Sequence, residues 1–140
     1  MEVDIGSGSG DRPPLILVVE DETEIRLLTI AAIEGMGFRT LGAGNVREAL
    51  DQLEDHRDID VVVTDVRMPG EMDGADLAFT IRSRWPSIGI VVISGYFDPK
   101  VSRLPVGTSF LAKPYRTREL QALLDQQLDL ERGNLRARRR

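Results

Sequence analysis

Charged and hydroxyl side chains follow four apolar, strand-like runs of this chain, each at the point where the run ends. In chain order they are Glu20 and Asp21 after residues 15–19, Asp65 after 59–64, Ser94 after 88–93, and Lys113 after 108–112. In an open parallel sheet, groups beyond the carboxyl ends of the strands share one crevice, where ligands bind. Carboxylates, a hydroxyl and an ammonium in one crevice predict a site for Mg²⁺ and a phosphoryl group.

The three carboxylates create a charge conflict in such a crevice. Acidic side chains that share a site repel one another, and burial raises their pKa values. Because Mg²⁺ binds few protein oxygens alongside waters and phosphate oxygens, it would relieve this conflict. Asp21 and Asp65 are suited to bind the ion directly, and Glu20 could contact it through a water molecule. A backbone carbonyl just past Asp65 could complete the coordination shell. Taken singly, the acids are better explained as a helix cap and a turn residue, but their joint placement favours the site.

The motifs that the chain lacks reduce the number of reactions that this site could support. It has no glycine-rich phosphate loop, so no nucleotide site is predicted. A serine hydrolase is unsupported, because no candidate base histidine lies near Ser94. A carboxylate held near Mg²⁺ can itself attack phosphorus and form an aspartyl phosphate. Lys113 would neutralise charge on the transferring oxygens, since Pro114 biases the residue before it toward extended backbone over the crevice.

Composition bounds the class of protein. The length of 140 residues predicts one domain, and the net charge of −5 disfavours nucleic acid as a partner of the folded body. The absence of cysteine excludes disulfides and thiolate catalysis, and His56, in a polar stretch, is assigned no chemistry. Because no apolar run approaches the roughly 20 residues of a membrane span, we expect a soluble, cytoplasmic protein without membrane contact.

Strand-like runs alternate with helical patterns, which predicts an α/β fold with a doubly wound, five-stranded parallel sheet flanked by helices. The strands are expected at 15–19, 38–41, 59–64, 88–93 and 109–112. A first helix, 23–36, should bury a face made of Ile25, Leu28, Ala32, Ile33 and Met36. Between Ser94 and Lys113, Pro99 and Pro105 leave room for about one helical turn, so the fourth helix should be short or missing.

Three further helices have predicted caps. Asn45 should cap the second helix in a capping box with Glu48, and Asp73 should cap the third, which Pro86 ends. Thr117 should cap the last helix. The expected divisions of the chain are a flexible Gly/Ser-rich leader at 1–13, the folded domain at 14–131, and a basic tail at 132–140 that frays from the last helix.

Four segments carry a resemblance to a known family. They are 19–21 (Val-Glu-Asp), 64–70 (Thr-Asp-Val-Arg-Met-Pro-Gly), 93–95 (Ile-Ser-Gly) and 110–115 (Phe-Leu-Ala-Lys-Pro-Tyr). In this set and order they resemble the receiver domain of two-component response regulators, over about residues 15–130. The resemblance implies the flavodoxin-like (CheY-like) version of the predicted fold.

The resemblance also implies a role for each site residue. Asp65 would be the phosphoacceptor, and Asp21 and the Arg67 carbonyl would bind Mg²⁺ with it, assisted by Glu20 through water. Ser94 and Lys113 would contact the phosphoryl group. Ser94 and Phe110 would form a switch, in which Phe110 turns inward on phosphorylation; the plainer interpretation of Phe110 is a core aromatic.

The function implied is that of a signalling phosphoacceptor rather than an enzyme, with slow self-catalysed dephosphorylation. The donor would be a sensor histidine kinase or histidine phosphotransfer protein, and the output a protein target or a phosphate sink. We expect a stand-alone receiver, with a receiver cut from a longer regulator as the variant. The alternatives are a Mg²⁺-dependent aspartyl-phosphate phosphatase, disfavoured by Arg67 where such enzymes carry a second acid, and an unphosphorylated interaction module.

Three features depart from the usual family pattern. The stretch from Ser94 to Lys113 is short, which puts the fourth helix and its output surface in question. Ser94-Gly95-Tyr96 resembles the single-domain receivers of alphaproteobacteria. Arg67 and Tyr96 occupy family positions that flank the phosphoryl group and tune its hydrolysis, so the motif does not set the lifetime of the phosphate.

Overall fold

Strands and helices alternate along the chain, as the sequence pattern predicted. The computed structural model describes residues 12–95 and 99–139, so most of the predicted leader and Tyr96 lie outside the described residues. In chain order the elements are β1 (Leu15–Val19), α1 (Thr23–Gly35), β2 (Arg39–Ala43), α2 (Val46–Asp55), β3 (Ile59–Asp65), α3 (Gly74–Arg84), β4 (Gly89–Ser94), a 3₁₀ helix (Pro99–Arg103), β5 (Ser109–Ala112) and α4 (Thr117–Arg139).

The strands in the described part of the chain form one five-stranded parallel sheet in the order β2-β1-β3-β4-β5. This confirms the doubly wound α/β fold. The strand order reverses beside β1 and β3, where such sheets open a crevice at the carboxyl ends of the strands. The register aligns those ends by pairing Val19 with Thr64, Asp65 with Ile93, and Ser94 with Ala112.

The central strands are covered on both faces, which explains their continuous apolar sequence. In β1, Leu15, Leu17 and Val19 join the core beneath α2 and α3, whereas Ile16 and Val18 join the core beneath α1 and α4. All five residues are at most 5% exposed. Full burial of one such side chain contributes about 1.5–3 kcal/mol, so these strands form a rigid base for the groups at their ends.

The predicted buried face of α1 is partly wrong. Leu28 is 71% exposed, whereas Ile33 is fully buried and Ile30 and Met36 pack against the core. Ile33 comes five residues after Leu28, and with 3.6 residues per turn this places the two side chains roughly 140° apart around the helix axis. Leu28 therefore lies on the solvent side of α1, together with its neighbour Leu27.

The caps of α2 and α3 confirm their predicted starts. The Asn45 side chain accepts a hydrogen bond from the Glu48 backbone N–H at 2.8 Å, although the Glu48 carboxylate bonds to Gly44 N–H rather than closing the box on Asn45. In α3 the reciprocal capping box is complete between Asp73 and Asp76. Both helices pack an apolar stripe against the core beneath them, made of Val46, Ala49 and Leu53 in α2 and of Leu77, Ala78 and Ile81 in α3.

Helix α4 differs from its prediction at both ends. Thr117 is its first helical residue rather than its cap, and the Glu119 carboxylate accepts a hydrogen bond from the backbone N–H of Arg116, just before the helix. The backbone stays helical to Arg139, through most of the segment that was expected to fray. Among the described helices, none combines the length and apolar character that crossing a lipid bilayer requires.

In the described part of the connection between β4 and β5, the 3₁₀ helix is the only helical element, which confirms the prediction that the fourth helix is short or missing. Strand β5 has only four residues, and its pairing with β4 begins at Val91. A side chain from α4 supplies the hydrogen bonds next to the start of this pairing. The buried amide of Gln127 accepts from Ile90 N–H at 3.0 Å and donates to the Gly107 carbonyl and Ser109 Oγ at 2.8 Å each. Gln127 was not predicted from the sequence to have this structural role.

Gly74 allows α3 to start directly against the end of β3. Its backbone N–H donates to the Val66 carbonyl at 2.8 Å. A β-carbon at this position would lie 1.8 Å from the backbone oxygen of Asp65, so a side chain cannot fit without displacing that strand end. Residue 74 must therefore lack a side chain for Asp65 to keep its position.

We predict that Gly74→Ala lowers the free energy of unfolding by about 2 kcal/mol, because the added methyl group overlaps the Asp65 backbone. Urea denaturation followed by circular dichroism measures the change. Gly35→Ala is the matched control, since a β-carbon at Gly35 meets no atom within 4 Å and alanine favours helix. Equal stability of the two variants would show that the start of α3 moves aside without cost.

Candidate functional site

The strand-end residues predicted to share a crevice are held there by backbone hydrogen bonds that continue past the strands. Glu20 N–H donates to the Ala43 carbonyl at 3.0 Å, and Lys113 N–H donates to the Ser94 carbonyl at 2.8 Å. Val66 N–H, directly after Asp65, donates to the Ile93 carbonyl at 2.9 Å. The positions of these residues are therefore set by the sheet rather than by free loops.

Lys113 and Asp65 form an ion pair across 48 residues of sequence. The ammonium Nζ lies 3.1 Å from Asp65 Oδ2, and the two side chains are 35% and 15% exposed. Burial alone would lower the pKa of Lys113, but its hydrogen bond to Asp65 and the charges of Asp65 and Glu20 raise that pKa above its usual value. Lys113 therefore carries its positive charge at neutral pH.

Glu20 is the buried acid of the site, with 6% exposure. Its carboxylate lies within hydrogen-bonding reach of Asp21 and Asp65. Burial, the largest cause, raises the pKa of Glu20 to about 7; proximity to Asp21 and Asp65 adds to this, against a hydrogen bond from Glu22 N–H. The structure thus places the Glu20 carboxylate beside those of Asp21 and Asp65, in surroundings that disfavour the ionised form of Glu20.

The acidic side chains suit a hard divalent cation through their chemistry. No group of three or more His, Cys, Asp or Glu side chains in residues 12–95 and 99–139 could by itself hold a metal ion. Mg²⁺ does not require three such side chains, because it usually takes one or two carboxylates and keeps several waters. The closeness of the Glu20 carboxylate to both Asp21 and Asp65 is the observation that favours a cation here, since positive charge would offset the repulsion among these acids.

Arg67, Ser94 and Phe110 occupy different surroundings. Arg67, two residues after Asp65, lines a cavity of about 360 Å³ with Met68, Pro69 and Asp73. Ser94 is 3% exposed at the end of β4, beside the β5 edge of the crevice. Phe110 lies opposite Val92 in the register and is 38% exposed, so it is not a fully buried core aromatic.

One ion pair near the site was not predicted. Lys100, in the 3₁₀ helix, bonds to the Asp73 carboxylate that caps α3. Burial alone would raise the pKa of Asp73, but hydrogen bonds from Lys100 and the Asp76 backbone hold it below its usual value. The sequence identified Asp73 as a helix cap, but no local pattern indicates a partner 27 residues away.

Comparisons with known proteins agree with this architecture. The sequence profile of the response regulator receiver domain family matches residues 16–125. The chain is 34% identical over 118 residues to a sensor kinase, CckA, of Brucella abortus; the match covers 81% of this chain but only 12% of that kinase, so the chain spans a small part of it.

Solved structures give the same result over nearly their whole length. A response regulator receiver protein from Pseudomonas putida is 34% identical with a TM-score of 0.73, and the alignment covers 81% of this chain and 97% of that one. One from Sinorhizobium medicae is 27% identical with a TM-score of 0.80, covering 88% and 99%. Because the family profile matches most of the chain, and the fold and strand-end groups accord with it, this protein belongs to the response regulator receiver domain family.

Proposed function

We propose that this chain accepts a phosphoryl group on Asp65 from a phosphohistidine of a sensor histidine kinase or histidine phosphotransfer protein. The observation that carries the proposal is the 3.1 Å contact between Lys113 and Asp65 beside the carboxylates of Glu20 and Asp21. A cation thus lies against one carboxylate of an acidic cluster, at the crevice of a receiver fold. This arrangement suits a carboxylate that must approach the negatively charged oxygens of a phosphoryl group.

In the proposed reaction, an Asp65 carboxylate oxygen attacks phosphorus. The new O–P bond forms as the N–P bond of the phosphohistidine breaks, and the imidazole leaves with the electron pair of that bond and takes up a proton. The Lys113 ammonium neutralises a phosphoryl oxygen, and the Ser94 hydroxyl donates a hydrogen bond to another. In a slow second step, water would attack phosphorus, which would release inorganic phosphate and restore the Asp65 carboxylate.

Mg²⁺ is the cofactor that we propose for this site. Asp21, Asp65 and the backbone carbonyl of Arg67 would hold it, with Glu20 acting through a water molecule. When bound, the ion would offset negative charge on the oxygens of the transferring group. The donor set contains only hard oxygen ligands, which agrees with this choice of metal.

The proposed output is a shift between two conformations. Phosphorylation draws Ser94 toward the phosphoryl group and lets the half-exposed Phe110 turn inward, which changes the surface around β4, the 3₁₀ helix and β5. In a two-component pathway of the cytoplasm, this surface would contact a protein target. Alternatively, the chain would act as a phosphate sink.

The first test replaces the acceptor. Asp65→Asn should abolish ³²P labelling by an autophosphorylated histidine kinase, because an amide is a poor nucleophile and forms no acyl phosphate. The label on the wild-type chain should be released by hydroxylamine. Asp51→Asn, on the exposed side of α2, should label normally. Label that persists on Asp65→Asn would show that another residue is the acceptor.

The second test concerns the metal. Asp21→Asn should weaken Mg²⁺ binding at least about tenfold, because it removes one charged ligand of a site with few protein ligands. Isothermal titration calorimetry measures the dissociation constant. Glu24→Gln provides the control, since it removes an exposed carboxylate from the first turn of α1. An unchanged affinity in Asp21→Asn would place the metal elsewhere.

The third test uses the pKa of Glu20. Because folding raises this pKa from 4.5 to about 7, the metal-free protein should lose stability as pH rises across that interval. Glu20→Gln carries no such charge, so it should be more stable than the wild type by about 2 kcal/mol at pH 8, with the advantage shrinking toward pH 5. Urea unfolding in EDTA at the two pH values measures the difference, and an advantage independent of pH would contradict this origin.

A further inference from the structure

The side chain of Arg26 connects the start of α1 to the residues that follow β1, at the edge of the acidic crevice. Its Nη1 donates to the backbone carbonyl of Glu20 at 2.6 Å, and its Nη2 lies 3.5 Å from Thr23 Oγ1. Long side chains on a helix point back toward the N-terminus, so an arginine in this part of α1 reaches the residues that precede the helix. Hydrogen bonds from a charged donor are stronger than those between neutral groups.

Two glycines at the end of β2 leave the space that Arg26 fills. A β-carbon at Gly42 would lie 3.5 Å from Arg26 Cδ, and one at Gly44 would lie 3.2 Å from Arg26 Nη1. Larger side chains at these positions would extend into the space of the arginine. Arg26 is partly buried, so its surroundings restrict the positions that the guanidinium can take.

The hydrogen bond from Arg26 acts on the peptide group that joins Glu20 to Asp21. The Glu20 carbonyl and the Asp21 N–H belong to one rigid plane, so a donor fixed to that carbonyl limits the directions in which Asp21 can project. Glu20 itself is held twice more, since its N–H donates to the Ala43 carbonyl at 3.0 Å and its carboxylate accepts from Glu22 N–H at 3.1 Å. Asp21 is exposed next to this fixed residue.

The start of α1 has no side-chain cap to order these residues. Glu22 occupies the capping position, and its side chain makes no capping hydrogen bond. The helices α2 and α3, in contrast, have the side chains of Asn45 and Asp73 as caps. The side chain of Arg26 therefore supplies a connection between α1 and the chain before it that a cap does not supply.

The charge of Arg26 by itself opposes the binding of a cation nearby. A positive side chain close to the site of Mg²⁺ repels the ion, so electrostatics alone predicts that removal of the guanidinium strengthens Mg²⁺ binding. If the guanidinium instead orients a ligand of the ion, its removal should weaken binding. The two effects have opposite signs, and a measurement of affinity separates them.

We propose that Arg26 is a positioning residue of the magnesium site, which holds the peptide group between Glu20 and Asp21 so that the Asp21 carboxylate faces Asp65 before the ion binds. Without this hydrogen bond, only a fraction of the molecules would hold Asp21 in the binding direction. The apparent dissociation constant for Mg²⁺ would then rise by the inverse of that fraction. This inference rests on the proposed function and adds to it a residue outside the proposed ligands.

The test removes the guanidinium and keeps the length of the side chain. Arg26→Met retains an unbranched side chain with a high helix propensity. Arg39→Met is the matched control, because Arg39 Nε donates to the Pro13 carbonyl at 2.9 Å, before the other end of β1. Isothermal titration calorimetry with MgCl₂ measures the dissociation constant of each variant, and urea unfolding in EDTA measures its stability.

We expect Arg26→Met to bind Mg²⁺ about fivefold more weakly than the wild type, and Arg39→Met to bind it equally well. Arg26→Lys restores the positive charge together with an N–H donor, so its affinity should lie between those of Arg26→Met and the wild type. Charge alone predicts that the lysine variant binds more weakly than the methionine variant. Binding by Arg26→Met as tight as that of the wild type, or tighter, would overturn the inference.

Phosphorylation by phosphoramidate provides a second readout, because this small donor has an N–P bond and makes no protein contact. At saturating Mg²⁺, the rate of Arg26→Met should come within about twofold of the wild-type rate, since excess ion compensates for a poorly oriented ligand. A rate that stays far lower at every Mg²⁺ concentration would overturn the inference. A defect confined to transfer from a kinase would also overturn it, because Arg26 would then contact the donor protein.

Two further outcomes have a defined meaning. If Arg26→Met does not fold, the comparison of Arg26→Lys with the wild type decides: weaker Mg²⁺ binding is expected, because one ammonium replaces a forked donor, and equal binding would overturn the inference. If the wild type binds no Mg²⁺ or accepts no phosphoryl group from phosphoramidate, the proposed function itself is contradicted.

Discussion

The site depends on negative charges brought closer together than they would lie in water. Glu20, Asp21 and Asp65 gather at the ends of two neighbouring strands, and Lys113 supplies a positive charge in direct contact, at 3.1 Å from Asp65. One ammonium does not balance three carboxylates. The remaining conflict appears in Glu20, whose pKa rises to about 7 because burial and its acidic neighbours oppose ionisation. A crevice with this imbalance favours the binding of further positive charge.

The sheet can hold these charges close together because its own stability comes from apolar packing and not from the charged groups. The central strands are buried on both faces, and their register aligns the strand ends independently of the charges. Gly74 lets α3 begin against the Asp65 carbonyl, so the acceptor loop cannot relax away without disturbing a helix. Apolar packing thus holds the carboxylates in place, and the repulsion is kept in the folded state rather than released by movement.

The parts of the structure that follow from local pattern were predictable. The strands were predicted from continuous apolar runs, and two helix starts were predicted from Asn45 and Asp73. In each case the sequence feature lies within a few residues of the structural element that it specifies. Leu28 was misplaced because several apolar residues in α1 allowed more than one buried face, and only contact with the sheet selects among them. Of the site, the Lys113–Asp65 contact was predictable from strand ends, whereas the Gln127 bridge and the Lys100–Asp73 pair join residues that no local pattern connects.

The charge balance also bears on how a signal would leave the site. In the proposed reaction, Asp65 exchanges one negative charge for nearly two on its phosphoryl group. Lys113 is already paired with Asp65, so added stabilisation must come from a bound cation and from the Ser94 hydroxyl. Ser94 and Lys113 are the two ends of the segment that contains the 3₁₀ helix and β5, and Lys100 joins that helix to the cap of α3 through its ion pair with Asp73. In the proposed reaction, a new attraction at both ends of this segment would act on the residues between them, which include the partly exposed Phe110.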